Sequence, residues 1–98
     1  MAVYYKMDMV NYITYFSGTQ TDYSYIPFDP YAYPNPTADQ LIIIENHITL
    51  EGQEGIDLFA SCRNETIEHL DWIDTSQATD FMGMFSDCNR LKSVDLST

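Results

Sequence analysis

A chain of 98 residues has room for one small domain, hiding roughly 60–70% of its unfolded surface. Apolar residues at 45% and aromatics at 14% exclude a disordered chain. Fifteen acids against four bases give a net charge of -11, which argues against direct nucleic-acid binding and against insertion at an anionic membrane. No apolar run reaches the roughly 18 residues of a membrane span. No basic head with an apolar run follows Met1, so the expectation is a chain without a secretory signal. Two cysteines cannot build a disulfide scaffold.

Composition shifts along the chain. All eight tyrosines lie at or before Tyr33, and all four prolines between Pro27 and Pro36. Residues 1–40 carry a net charge of -3 and residues 41–98 a net of -8. This divides the chain into a Tyr/Pro-rich head, 1–40, and an acidic section, 41–98, expected to pack together as one domain.

In the head, Val10, Tyr12, Thr14 and Phe16 alternate with Asn11, Ile13 and Tyr15, a strand period. Ser17-Gly18-Thr19-Gln20 reads as a turn, and Thr21 to Ile26 alternates again. The expectation is a β-hairpin over 9–26. The run PFDPYAYPNP cannot be a helix or a central strand, because proline removes donors and clashes with helical geometry. Tyrosines favour places where a buried ring meets water, so Tyr23, Tyr25, Tyr31 and Tyr33 are candidates for contact with another chain. LIII at 41–44 reads as a short buried strand, continuing toward Ile48 and Leu50.

A repeat follows. IDLFASC (56–62) matches MGMFSDC (82–88) at an offset of 26, pairing Leu58 with Met84, Phe59 with Phe85 and Cys62 with Cys88. Ile67-x-x-Leu70-x-Trp72 matches Leu91-x-x-Val94-x-Leu96 at an offset of 24, each with leucine-rich-repeat spacing. These residues, with Phe81, form the expected repeat core. Ala78, Phe81, Met84 or Phe85, and Cys88 recur every three to four positions, which predicts a short helix, with Thr75, Ser76 and Thr79 as caps. The predicted class is α+β: a Tyr-rich β-hairpin region, then about two turns of a strand/short-helix solenoid.

LDWIDTSQATDFMGMFSDCNRLKSVDLST (70–98) resembles the bacterial surface-protein leucine-rich repeat of the BspA type. Asp74-Thr75-Ser76, Thr79-Asp80, Met84-Phe85 and Cys88 stand at the family's places; Ala78 and Phe81 stand where it prefers valine and methionine. The resemblance weakens over 56–69 and is absent before about 50. It implies an interaction or adhesion module with no catalytic residues.

Cys62 and Cys88 occupy equivalent positions, where either buried thiols or a bridge between turns fits. Two histidines, His47 and His69, are too few for a metal site, and no nucleophile motif or EF-hand loop is present. No enzymatic activity, cofactor or metal is therefore expected. Asn64-Glu65-Thr66 matches a glycosylation triplet but is read as unmodified.

The functional expectation is a structural or adhesive protein-interaction module. Its head would dock on an assembly, or on copies of itself, and a strand face with Glu68, His69, Asp71 and Asp95 would meet a protein or glycan. A phage virion component (fibre, decoration or tail-associated protein) or a fragment of a larger surface adhesin would both fit. The alternative is a small acidic nucleic-acid mimic, such as an anti-CRISPR, inhibiting a basic protein. That alternative needs its acids clustered on one face.

Overall fold

Two β-sheets share one core in the computed structural model, which describes residues 3–29 and 36–92. The first sheet contains β1 (Tyr4–Asp8), β2 (Ile13–Ser17), β3 (Ile26–Pro27) and β4 (Leu41–Ile44), in the order β3-β1-β2-β4. β1 lies antiparallel to both β2 and β3, whereas β2 runs parallel to β4, pairing Ile13 with Leu41 and Phe16 with Ile44. The second sheet is a parallel pair, β5 (Ile48–Gly52) and β6 (Ile73–Ala78).

The head hairpin is shifted from its expected position. It is closed by residues 9–12, not by Ser17–Gln20, so β1 and β2 are its arms. Asp8 sets this turn: its carboxylate accepts from the Val10 and Asn11 amides at 3.0 and 3.1 Å and from the Asn11 side chain at 2.8 Å. Those donors hold the Asp8 pKa below its ordinary value. Tyr12 supplies the positive φ (58°) that returns the chain. Gly18 is then needed for closeness, since a Cβ there would stand 2.1 Å from the His47 carbonyl oxygen.

β4 is a strand, as LIII suggests, but it alternates: Ile42 and Ile44 are buried while Leu41 and Ile43 are partly exposed. Asn64 covers its outer edge. The Asn64 Oδ1 accepts from the Ile42 amide at 2.6 Å, and Nδ2 donates to the Ile42 and Thr66 carbonyls, both at 3.1 Å. A side chain here stands in for a neighbouring strand.

The expected α+β class, with its strand/short-helix solenoid, is overturned. The fold is all-β in character, and no α-helix occurs among the described residues. Two segments bearing the apolar three-to-four spacing are chains of β-turns. In the first, the amides of Ile56, Leu58, Ala60 and Cys62 bond back to the carbonyls three residues earlier. The alternate amides of Asp57, Phe59 and Ser61 instead reach sideways to the carbonyls of Met82, Met84 and Ser86 at 2.7–3.0 Å.

A helix would consume every amide locally and leave these lateral bonds unmade. Positive φ at Asp57, Ser61, Gly83 and Asp87 also interrupts helical winding. Mid-segment glycine with aspartate and serine favours turns over helix, and successive turns also bring residues three or four apart to one side.

The strand expected over Ile67–Trp72 is likewise absent. His69 has φ 65°, and Leu70–Trp72 form a short 3-10 helix, so extended backbone begins only at Ile73. Thr75 and Ser76, expected as helix caps, lie within β6. The second expected strand, with Val94, Asp95 and Leu96, falls outside the described residues.

One buried cluster runs from Val3, Phe16 and Phe28 through Ile42, Ile48 and Leu50 to Phe59, Cys62 and Met84. The Phe16 and Phe59 rings meet edge to face at 5.2 Å, tying head to turn layers. Buried Thr14 and Thr37 donate to the Pro36 and Ala60 carbonyls at 2.8 and 2.6 Å, so these two hydroxyls are satisfied.

Candidate interaction surface

The stacked turns bring the paired repeat residues together. The Phe59 and Phe85 rings lie 5.8 Å apart, and Cys62 Sγ lies 3.3 Å from Cys88 Sγ. Both cysteines are free thiols. Cys88 donates to the Phe59 carbonyl at 3.0 Å, and burial pushes the Cys62 thiol up to about 11. Cys62 is thus a poor thiolate at neutral pH, suited to packing.

Of the other repeat-core residues, Leu58, Ile67, Leu70 and Met84 are buried, and Trp72 and Leu91 pack against the cluster in part. Phe81 is largely out, at 42% exposed.

Of the candidate contact tyrosines, Tyr23 is fully exposed, whereas Tyr25 is fully buried and offers no surface to a partner. Its hydroxyl has no hydrogen-bond partner among the described residues. Tyr31, Tyr33 and Asp95 lie outside the described residues. Glu68, His69 and Asp71 are exposed but sit on a turn and the 3-10 helix, not on a strand face. Trp72 is stacked by His69 at 3.8 Å and by His47 at 5.2 Å, so these histidines serve as ring packing. No group of three or more His, Cys, Asp or Glu among the described residues could hold a metal ion.

The surface feature that sequence reasoning missed is a concavity of about 580 Å3, lined by Leu70, Ile73, Thr75, Phe81, Met84 and Phe85. β6 forms one wall; its outer edge pairs with no other strand among the described residues. The second turn chain forms the other wall. Its amides at Phe85 and Asp87 are 26 residues on from Phe59 and Ser61, and none of the backbone hydrogen bonds among the described residues uses them. Where Phe59 is fully buried by the layer above it, Phe85 is only partly covered.

From Leu70 to Asp87 the chain carries Asp71, Asp74, Asp80 and Asp87 and no lysine or arginine. Each acid adjoins a lining residue or its immediate neighbour in the chain. The Ser76 amide, 2.9 Å from its carboxylate, holds the Asp74 pKa below the usual value, so this acid stays charged. The sequence signal that could have found the edge is the second copy of the turn pattern: its counterpart at 56–62 is covered by it, while its own outer side meets no further layer among the described residues.

A second apolar surface lies on the head. Val10 is 85% exposed, with Met9 and Tyr12 beside it at the hairpin turn. No helix among the described residues is long and apolar enough to cross a membrane. In comparisons with known proteins, no family model, curated protein or solved structure matches this chain.

Proposed function

We propose that the chain is a non-catalytic protein-interaction module of structural or adhesive type. The observation that carries this reading is the pairing of an apolar concavity with a strand edge that, among the described residues, no other strand satisfies. Unmet backbone amides and exposed rings are costly to leave facing water-poor surroundings, and they are the features a docking partner satisfies. The exposed Met9, Val10 and Tyr12 at the opposite type of feature, a hairpin turn, give additional support. The resemblance of 70–98 to BspA-type repeats points the same way, toward adhesion.

Size-exclusion chromatography with light scattering, followed by protein and glycan binding arrays, tests the reading. Self-association, or saturable binding to a protein or glycan, is expected, weakened by Val10→Asp or Thr75→Lys. A monomer that binds neither class would refute it.

A further inference from the structure

We propose that the concavity beside β6 takes an extended, basic peptide segment of a partner protein, apolar at alternate positions, as an added strand. This deepens the module reading above and rests on it.

Three observations fix the chemistry of the occupant. First, among the described residues the outer edge of β6 pairs with no strand and the amides of Phe85 and Asp87 enter no backbone hydrogen bond, and an extended segment supplies backbone partners along its length. Second, the lining is largely apolar, with Leu70, Ile73, Phe81, Met84 and Phe85. Alternate side chains of an added strand would point into it, about 6.6–6.8 Å apart, and the intervening ones outward. Third, the segment from Leu70 to Asp87 that supplies this lining carries four aspartates and no lysine or arginine. The outward side chains of the guest therefore meet negative charge, which selects lysine or arginine.

The same charge disfavours a second copy of the chain as occupant. Two chains of net charge -11 repel, and each of the like edges carries Asp74. Self-association through this edge is accordingly an outcome that would overturn the proposal.

The test uses the full chain, isotopically labelled, and the blocked peptide acetyl-Lys-Val-Lys-Val-Lys-Val-amide, matched in length to the six residues of β6. Its glutamate counterpart and a proline-interrupted version are the comparisons. The lysine peptide should shift amide resonances within Ile73–Ala78 and 81–87, and bind at least about tenfold more tightly than the glutamate peptide. Affinity should fall several-fold between about 50 and 300 mM salt.

Thr75 is exposed on β6 and lines the concavity, so Thr75→Lys should fill it and weaken binding about tenfold while the far-UV spectrum is unchanged. Asp71→Lys should weaken binding about threefold and flatten the salt dependence. The proposal falls if the glutamate peptide binds as well, if shifts map elsewhere, or if the chain dimerises through β6. It also falls if the lysine peptide fails while the chain binds a protein or glycan through the head; in that case the module reading stands. Absence of any binding partner at all, with both surfaces intact, removes that reading too.

Discussion

Replacing Asn64 by leucine removes the side chain that closes the outer edge of β4. Three hydrogen bonds disappear: two to Ile42 and one to Thr66. Ile42 is 3% exposed, so water does not easily replace them. Orphaning a buried backbone amide and carbonyl costs about 1–3 kcal/mol each, and the third bond adds about 1 kcal/mol. The gross loss is then about 3–7 kcal/mol, centred on about 5 kcal/mol. Leucine buries more apolar surface than asparagine and returns about 1–2 kcal/mol. The net expectation is about 3 kcal/mol, a large share of the 5–15 kcal/mol that holds a typical domain together.

For a domain of this size, about 4–8 °C of melting temperature follows each kcal/mol, so Asn64→Leu should melt about 12–24 °C lower. Urea titrations followed by far-UV circular dichroism and by the single tryptophan, Trp72, measure it directly. Glu65→Ala is the adjacent control. Its ion pair with Lys92 at 2.8 Å is solvent-exposed on both sides, and screening leaves it worth less than about 0.5 kcal/mol. A loss below about 1 kcal/mol in Asn64→Leu, with the urea slope unchanged, would refute the edge-closing role.

Gly18→Ala should destabilise by about 1–3 kcal/mol, because its Cβ meets the His47 backbone, which cannot rotate away; an unchanged melting temperature would contradict that contact. Tyr25→Phe should stabilise by about 1 kcal/mol by removing a buried hydroxyl without a partner among the described residues, read as a higher urea midpoint. Cys62 keeps its proton up to about 11 in the folded chain and loses it near 9.0 when unfolded. Its stabilising contribution is therefore complete below pH 9 and lost as pH rises toward 11, so wild type should lose more stability across that window than Cys62→Ala. Diamide, itself reduced to the hydrazine, should take two hydrogens from Cys62 and Cys88, whose sulfurs need to close from 3.3 Å to about 2.05 Å. A thiol count that stays at two in folded protein would refute that proximity.

Several features were legible in the residues alone. The alternation around Thr14 and Phe16 announced a strand, LIII announced β4, and the offset of 26 named the side chains that meet across the turn layers. These are local patterns of apolar spacing, and burial rewards them wherever they are satisfied. The candidate surface is legible only in part: Asp71 adjoins the concavity, but by sequence Thr75 suits a helix cap and Phe81 a core position.

The tertiary structure decided where each backbone amide goes. The spacing of Phe81, Met84 and Cys88 suits a helix and a chain of turns equally, and the choice fell to the lateral bonds of Asp57, Phe59 and Ser61 with a segment 25 residues away. Tyr25 and Tyr23 are two residues apart in one tyrosine-rich run, yet one is wholly inside and the other wholly outside. The hairpin closed at 9–12 because Asp8 caps that turn and β3 pairs with β1 from beyond it. Apolar periodicity sets which residues want to be buried; non-local hydrogen bonds, made only once the layers stack, set the backbone that buries them and the edge left open.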